Sequence, residues 1–206
     1  MQHVIIWLMK TPREEKVAEV DVLASRFISY LIPFSSPDDF EEAYARVKKL
    51  SPKADHYPYA YVIGEIKKSS DDGEPSGAAG RNYIHMMEEK GIDRALIVTA
   101  RYFGGTKLGL PRLRRSFLDS ATLAIEGASY YAITKRELYS AEVSYREYEI
   151  IKHHCPKEGI RIEKSSFLEK VEVVLSGDDK IPPFLKKLGI LSTANSLGEA
   201  ETLEEI

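Results

Sequence analysis

Between residues 96 and 117 the chain carries five cationic side chains, Arg101, Lys107, Arg112, Arg114 and Arg115, and no acid. Guanidinium and ammonium groups gathered in this way recognise anions, phosphate above all. The same stretch holds Tyr102 and Phe103, whose rings could stack on bases, and Gly104-Gly105, where no side chain obstructs a ligand or another backbone. Upstream, Asp71, Asp72 and Glu74 form a cluster of opposite sign. Three carboxylates could ligate a hard cation such as magnesium, or they could pair with the cations; the opposite charges favour pairing. His56 is a candidate base in the first case and a hydrogen-bonded structural residue in the second. The chain shows no nucleophile with a recognisable base partner and none of the strong metal-ligand spacings. Catalytic residues, metals and cofactors are therefore not expected.

These residues need elements to hold them. The apolar run from residue 96 has strand length and reads as a strand buried on both faces. It breaks at Gly104-Gly105, and after Gly109 the fixed φ of Pro111 suits the first turn of a helix, whose N-terminus favours anions. From 111 to about 126, Leu113, Phe117, Ala121, Ala124 and Ile125 share one side and Arg112, Arg115, Asp119, Thr122 and Glu126 the other, which puts Arg115 on a solvent face. Earlier, residues 4–9, 17–22 and 26–33 read as strands and 11–15 as a turn. Ser36-Pro37-Asp38-Asp39 opens a helix whose Phe40, Ala43, Tyr44, Val47 and Leu50 keep helical spacing. Residues 56–64 read as an aromatic-rich strand, 67–80 as a polar loop and 81–89 as a helix with Ile84 and Met87 inward, stopped at Gly91.

At 206 residues the chain is comfortable as two domains, expected at 1–132 and 133–206. In the second, Tyr139, Ala141, Val143 and Tyr145 alternate with Ser140, Glu142 and Ser144, a half-buried strand. A short helix at 147–154, a hairpin of 160–165 with 167–175, a helix at 181–188 stopped by Gly189 and a strand at 190–193 follow. This βαββαβ order is that of a ferredoxin-like domain, with an acidic end, 198–206, expected to fray. The fold class is α+β. The net charge is -3; residues 1–132 carry 18 basic and 18 acidic side chains and the remainder 11 and 14, so a nucleic-acid surface must be a patch. Cys155 is the one cysteine, which rules out an intramolecular disulfide and suits a reducing compartment; it reads as a small buried hydrophobe. The run at 4–9 is too short for a signal-peptide core or a membrane span, so a cytoplasmic protein without a membrane partner is expected.

Ser25-Arg26-Phe27, His56 with Tyr59-Ala60-Tyr61, Ser70-Asp-Asp-Gly-Glu-Pro75 with Ala79-Gly80, and Arg101-Tyr-Phe-Gly-Gly-Thr-Lys-Leu-Gly109 together resemble the IMPACT family of small cytoplasmic proteins in order and spacing. The resemblance covers roughly residues 15–128; the remainder is similar in pattern to the ferredoxin-like C-terminal domain of the bacterial and archaeal members. It implies an N-terminal domain shaped like the second domain of a small-subunit ribosomal protein and like part of elongation factor G. It also implies a link to translation, since the eukaryotic relatives regulate a stress kinase pathway by binding a ribosome-associated partner. One departure is local: bacterial members tend to carry a further Gly-Gly-Leu where this chain has Leu110-Pro111-Arg112-Leu113. The leading expectation is a non-catalytic, translation-linked regulatory binding protein presenting Arg101, Tyr102, Phe103, Gly104, Gly105, Lys107, Arg112 and Arg115 to RNA phosphates or to a ribosome-associated partner. The alternatives are a metal-assisted hydrolase using Asp71, Asp72 and Glu74 with His56 as base, and a scaffold whose residues 133–206 bind the partner.

Overall fold

The computed structural model describes residues 9–190 and 193–206, and the chain divides into two compact units, residues up to 133 with 204–206, and residues 134–203. In the first unit the apolar run is β6 (Ala95–Tyr102), buried along its length except at Tyr102. A strand with no polar face can only sit inside a sheet covered on both sides. It is the middle of an antiparallel sheet ordered β2 (Lys16–Val22), β3 (Ser25–Pro33), β6, β4 (Tyr59–Ile63) and β5 (Ile66–Ser70).

The period-2 alternation of β6 splits its side chains between two cores. Ile97 packs with Phe27, Tyr83, Met87 and Phe117 under α2 (Gly80–Glu89) and α3 (Leu110–Glu126), where the Phe27 and Phe117 rings meet edge to face at 4.9 Å. Leu96, Val98 and Ala100 pack on the other side with Phe34, Phe40, Val47 and Tyr61 under α1 (Phe40–Leu50). On the α2/α3 side of β6 the buried hydroxyl of Thr99 is satisfied by hydroxyls of Ser29 and Tyr83, each at 2.7 Å, as burial of a polar group requires. The expected apolar side of α3 is buried as a set. Pro37–Asp39 form a short 3-10 turn before α1, with the Ser36 hydroxyl accepting from the Asp38 N–H. In α2 the inward residues are Tyr83, Met86 and Met87, while Ile84 is half-buried.

Several boundaries differ from expectation, and edge strands account for most of them. The first residues of the expected loop 67–80 belong to β5 (Ile66–Ser70), turned back on β4 through Gly64-Glu65. An edge strand needs only a backbone partner, so its exposed lysines carry no apolar alternation to betray it. The expected turn at 11–15 overlaps β1 (Lys10–Pro12), which is paired with the start of β7 (Tyr130–Val143). Residues 4–8 of the first expected strand lie outside the described residues. His56 precedes β4 and makes an isolated bridge to Arg101.

The second unit has α4 (Tyr145–Glu158), β8 (Arg161–Phe167), β9 (Val171–Gly177), α5 (Ile181–Lys187) and β10 (Ala194–Glu205), with sheet order β10, β7, β9, β8. This is the ferredoxin-like arrangement. Ala141, Val143, Val171, Val173 and Leu175 face one way and bury Ile151, Cys155, Ile181, Phe184 and Leu185 of the two helices. Burial pushes the Cys155 thiol up to about 11, in keeping with an inert core residue. The helix α4 starts earlier than expected, where Ser144 and Glu147 cap it reciprocally and hold the Glu147 carboxyl below its usual range, and it runs on to a left-handed Gly159 at φ +72°. The tail expected to fray is β10, an edge strand beside β7 with the Thr134 and Thr202 hydroxyls 3.0 Å apart. Of the expected strand 190–193, residues 191 and 192 lie outside the described residues.

The β2–β3 hairpin turns on Leu23 and Ala24, both at positive φ, +46° and +62°. Two-residue hairpins favour Asn-Gly here, because L side chains at positive φ cost about 1–2 kcal/mol each. The double variant Leu23→Asn, Ala24→Gly is therefore expected to raise stability by about 1 kcal/mol after the entropic cost of glycine, read as a higher denaturant midpoint. An unchanged midpoint would show that the turn stores no strain.

Candidate functional site

At the C-terminal end of β6 the backbone of Arg101 pairs with Phe27 on one side, and on the other donates to the His56 carbonyl at 3.0 Å and accepts from the Asp55 N–H at 2.8 Å. Position in the sheet thus carries the Arg101 side chain indoors, where it is 8% exposed. Its Nη1 donates to both carboxylate oxygens of Glu74, each at 2.6 Å, and Glu74 is 7% exposed. The guanidinium carbon lies 5.7 Å from the Phe27 ring centre and 5.5 Å from that of Phe103. The opposite charges expected to pair do so, as one buried ion pair between the acidic loop and the end of β6.

The other two acids face different partners. The Asp71 carboxylate accepts from the backbone N–H groups of Gly77, Ala79 and Gly80, at 2.8, 2.8 and 2.9 Å, which folds the loop 71–79 around it and starts α2. Asp72, at φ +45°, accepts from the Tyr57 N–H at 2.6 Å. Gly73 follows at φ +84°, and a Cβ there would stand 2.9 Å from His56 Cε1, so the His56 ring packs where only glycine leaves room. The three carboxylates do not converge, and among the described residues no group of three or more His, Cys, Asp and Glu side chains could hold a metal ion.

The glycine loop is held as firmly at its start. The Phe103 N–H donates to the Asp55 carboxylate at 2.7 Å and the Gly104 N–H to the Ser25 hydroxyl at 3.1 Å. A Cβ on Gly104 would sit 2.1 Å from the Ala24 carbonyl carbon, so the β2–β3 turn and the loop touch backbone to backbone. Gly105 then takes φ +85° and Gly109 φ +71° ahead of α3. Tyr102 is half-buried, its hydroxyl donating to the Pro52 carbonyl at 3.1 Å, whereas Phe103 is 43% exposed.

The five cations divide by role. Arg101 pairs with Glu74, and Arg114 donates through Nε to the Gly77 carbonyl at 3.0 Å, clamping the acidic loop. Arg115 is on the solvent face as expected, 3.7 Å from Asp119. Lys107 and Arg112 are exposed, with no acidic partner among the described residues. Ser25, named in the Ser25-Arg26-Phe27 motif without a role, is seen to fix the loop; Asp55, which fixes it too, carries no signal in the sequence beyond adjoining His56. A pocket of about 430 Å³ lies among His56, Glu74, Arg101, Phe103, Lys107 and Gly109.

Breaking a buried pair leaves one charge without compensation, at a cost of about 3–5 kcal/mol, whereas removing both is far cheaper. Arg101→Met alone should therefore destabilise by that order, and Arg101→Met with Glu74→Leu by clearly less than the sum of the two single changes, in denaturant unfolding of each variant. Additive losses would mean that the pair is not coupled.

The Impact N-terminal domain model matches residues 23–125, half of the chain. That span contains His56, the acidic loop, the glycine loop and the cations through Arg115. An IMPACT family member of Haemophilus influenzae is 27% identical over 174 residues, 82% of this chain and 84% of the relative. The IMPACT family member YvyE of Bacillus subtilis is 36% identical over 131 residues, 62% of this chain and 59% of the relative. A solved structure, described as the crystal structure of a hypothetical protein, covers 96% of this chain and 97% of its own with a TM-score of 0.62 and 23% identity, a likeness of fold. With the signature residues assembled into one buried pair and two pinned loops inside the matched span, the chain belongs to the IMPACT family.

Proposed function

We propose that this protein is a cytoplasmic, translation-linked regulatory protein that binds RNA through the rim of its glycine loop, with residues 1–132 as the binding domain and residues 133–206 as a ferredoxin-like accessory domain. The observation that carries the reading is the division of the cations. Arg101 and Arg114 spend their charge holding the loops, while Lys107 and Arg112 stand exposed without acidic partners among the described residues, and Arg115 lies one helical turn beyond Arg112. A cationic rim on a chain of net charge -3 directs phosphate binding to one place. Phosphate contacts position the RNA without reading sequence, and the exposed ring of Phe103 adds a face for one base. The translation link comes with family membership and with what the family resemblance implies. A hydrolase built on Asp71, Asp72 and Glu74 is disfavoured because these carboxylates are committed to backbone N–H groups and to Arg101.

Each phosphate contact on a single strand contributes about 0.7 to the slope of log affinity against log salt. Lys107→Ala with Arg112→Ala should therefore weaken binding of short single-stranded RNA for all sequences alike and flatten that slope by about 1.4. Fluorescence anisotropy at several salt concentrations reads both quantities. Equal affinity and equal slope for the two proteins would remove the rim from any RNA role, and capture of an acidic protein in place of RNA would replace RNA as the partner.

A further inference from the structure

Strand β8 is the outer edge of the second unit's sheet. Among the described residues it pairs with β9 alone, so one row of its backbone N–H and C=O groups is open to another strand. Its side chains divide between two faces. Ile162 packs in the core under the helices, the Ser165 hydroxyl accepts from the Tyr148 hydroxyl of α4 at 3.3 Å, and the Phe167 ring centre lies 5.2 Å from that of Tyr148. On the opposite face the Glu163 carboxylate accepts from the Ser176 hydroxyl, and the Ser166 hydroxyl donates to Glu172 at 3.2 Å. A bulge between Ile162 and Lys164 leaves Glu163 unpaired with β9 and Lys164 opposite Val174, so Glu163 and Lys164 stand together on that outer face, both exposed.

The bulge restricts what can pair with β8, because residues directly opposite one another in an antiparallel pair share a face. A second copy of β8, aligned with Glu163 opposite Lys164, meets this condition along its length. Ile162 then falls opposite Ser165, Arg161 opposite Ser166 and Ile160 opposite Phe167, inward against inward and outward against outward. The two Glu163–Lys164 contacts, related by a two-fold axis, are both between opposite charges. A shift of one residue would set Lys164 against Lys164 and outward side chains against inward ones. A bulge and a lysine ordinarily blunt an edge; here they admit the strand's own copy.

Two further features fit the same alignment. At the β8–β9 turn Phe167 is 54% exposed and Leu168 70%, large apolar side chains left in water. Near the other end of β8 a pocket of about 620 Å³ lies against the last turns of α4, lined by Cys155, Pro156, Ile160 and Ile162, with Lys152 and Arg161. Pairing Phe167 with Ile160 brings the ring of each copy to the pocket of the other, against apolar side chains and cations that favour an aromatic face. We propose that this protein self-associates as a two-fold dimer through β8, with Glu163 and Lys164 paired across the axis and Phe167 of each copy at the α4–β8 pocket of the other.

The test is sedimentation velocity on the full chain over a range of concentrations. The wild type should show a monomer–dimer equilibrium in the micromolar range, as expected of a small interface. Glu163→Lys and Lys164→Glu should each weaken the dimer about tenfold or more, because each sets like charges face to face. An equimolar mixture of these two proteins should dimerise more tightly than either alone, since every facing pair is again opposite in sign. Phe167→Ser should weaken the dimer about tenfold through loss of the buried ring. Should that variant melt early, the two charge variants, altered at exposed positions, still decide. A wild type that stays monomeric up to millimolar concentration, or a dimer that the charge variants leave intact, overturns the proposal. A mixture no tighter than its components overturns the pairing of Glu163 with Lys164, and with it the interface.

Discussion

A guanidinium and a carboxylate taken out of water together hold this site in place. Burying either alone would be prohibitive, and burying both is tolerable only while they stay in contact. Arg101 is fixed by the middle strand of the sheet and Glu74 lies on a loop, so the requirement that they meet fixes where that loop can run. Asp71 then shapes the rest of the loop by gathering three backbone N–H groups, and Arg114 closes it from α3 through the Gly77 carbonyl. The glycine loop is bound by the complementary set, with Asp55 on Phe103 and Ser25 on Gly104. Two irregular segments thereby acquire the definition of regular structure without forming any.

This changes the meaning of the charge in the signature. In a count along the chain, five cations between residues 96 and 117 look equivalent. Burial separates them: an arginine at 8% exposure against a carboxylate organises the protein, whereas Lys107 and Arg112 retain a field that reaches solvent. On the proposed reading, the organising pair pins the base that carries the outward cations, so a phosphate chain meeting them would lose little of its binding energy to ordering the protein.

Much of this was legible in the sequence, for reasons that can be named. The uninterrupted apolar run of β6 announced a central strand, and the spacing of Leu113, Phe117 and Ala121 announced the buried side of α3. Opposite charge alone indicated that the two loops would pair, but not that Glu74 rather than Asp71 or Asp72 would reach Arg101, because that depends on how the loop folds around Asp71. The edge strands β5 and β10 escaped notice, since backbone pairing on one side leaves their side chains free of apolar alternation. Gly104 could be seen to matter but not why: the reason is the backbone of Ala24, brought there by a hairpin some eighty residues earlier.

The central claim is that the pinned loops present one RNA-binding rim. Backbone amide chemical shifts recorded while a short single-stranded RNA is titrated into the full chain test it most directly. The account predicts that the shifts which move lie in residues 103–115 and around His56 and Gly73, while those of β8, β9 and α4 stay fixed. Movement confined to residues 134–203, or none at RNA concentrations that saturate binding, would contradict it.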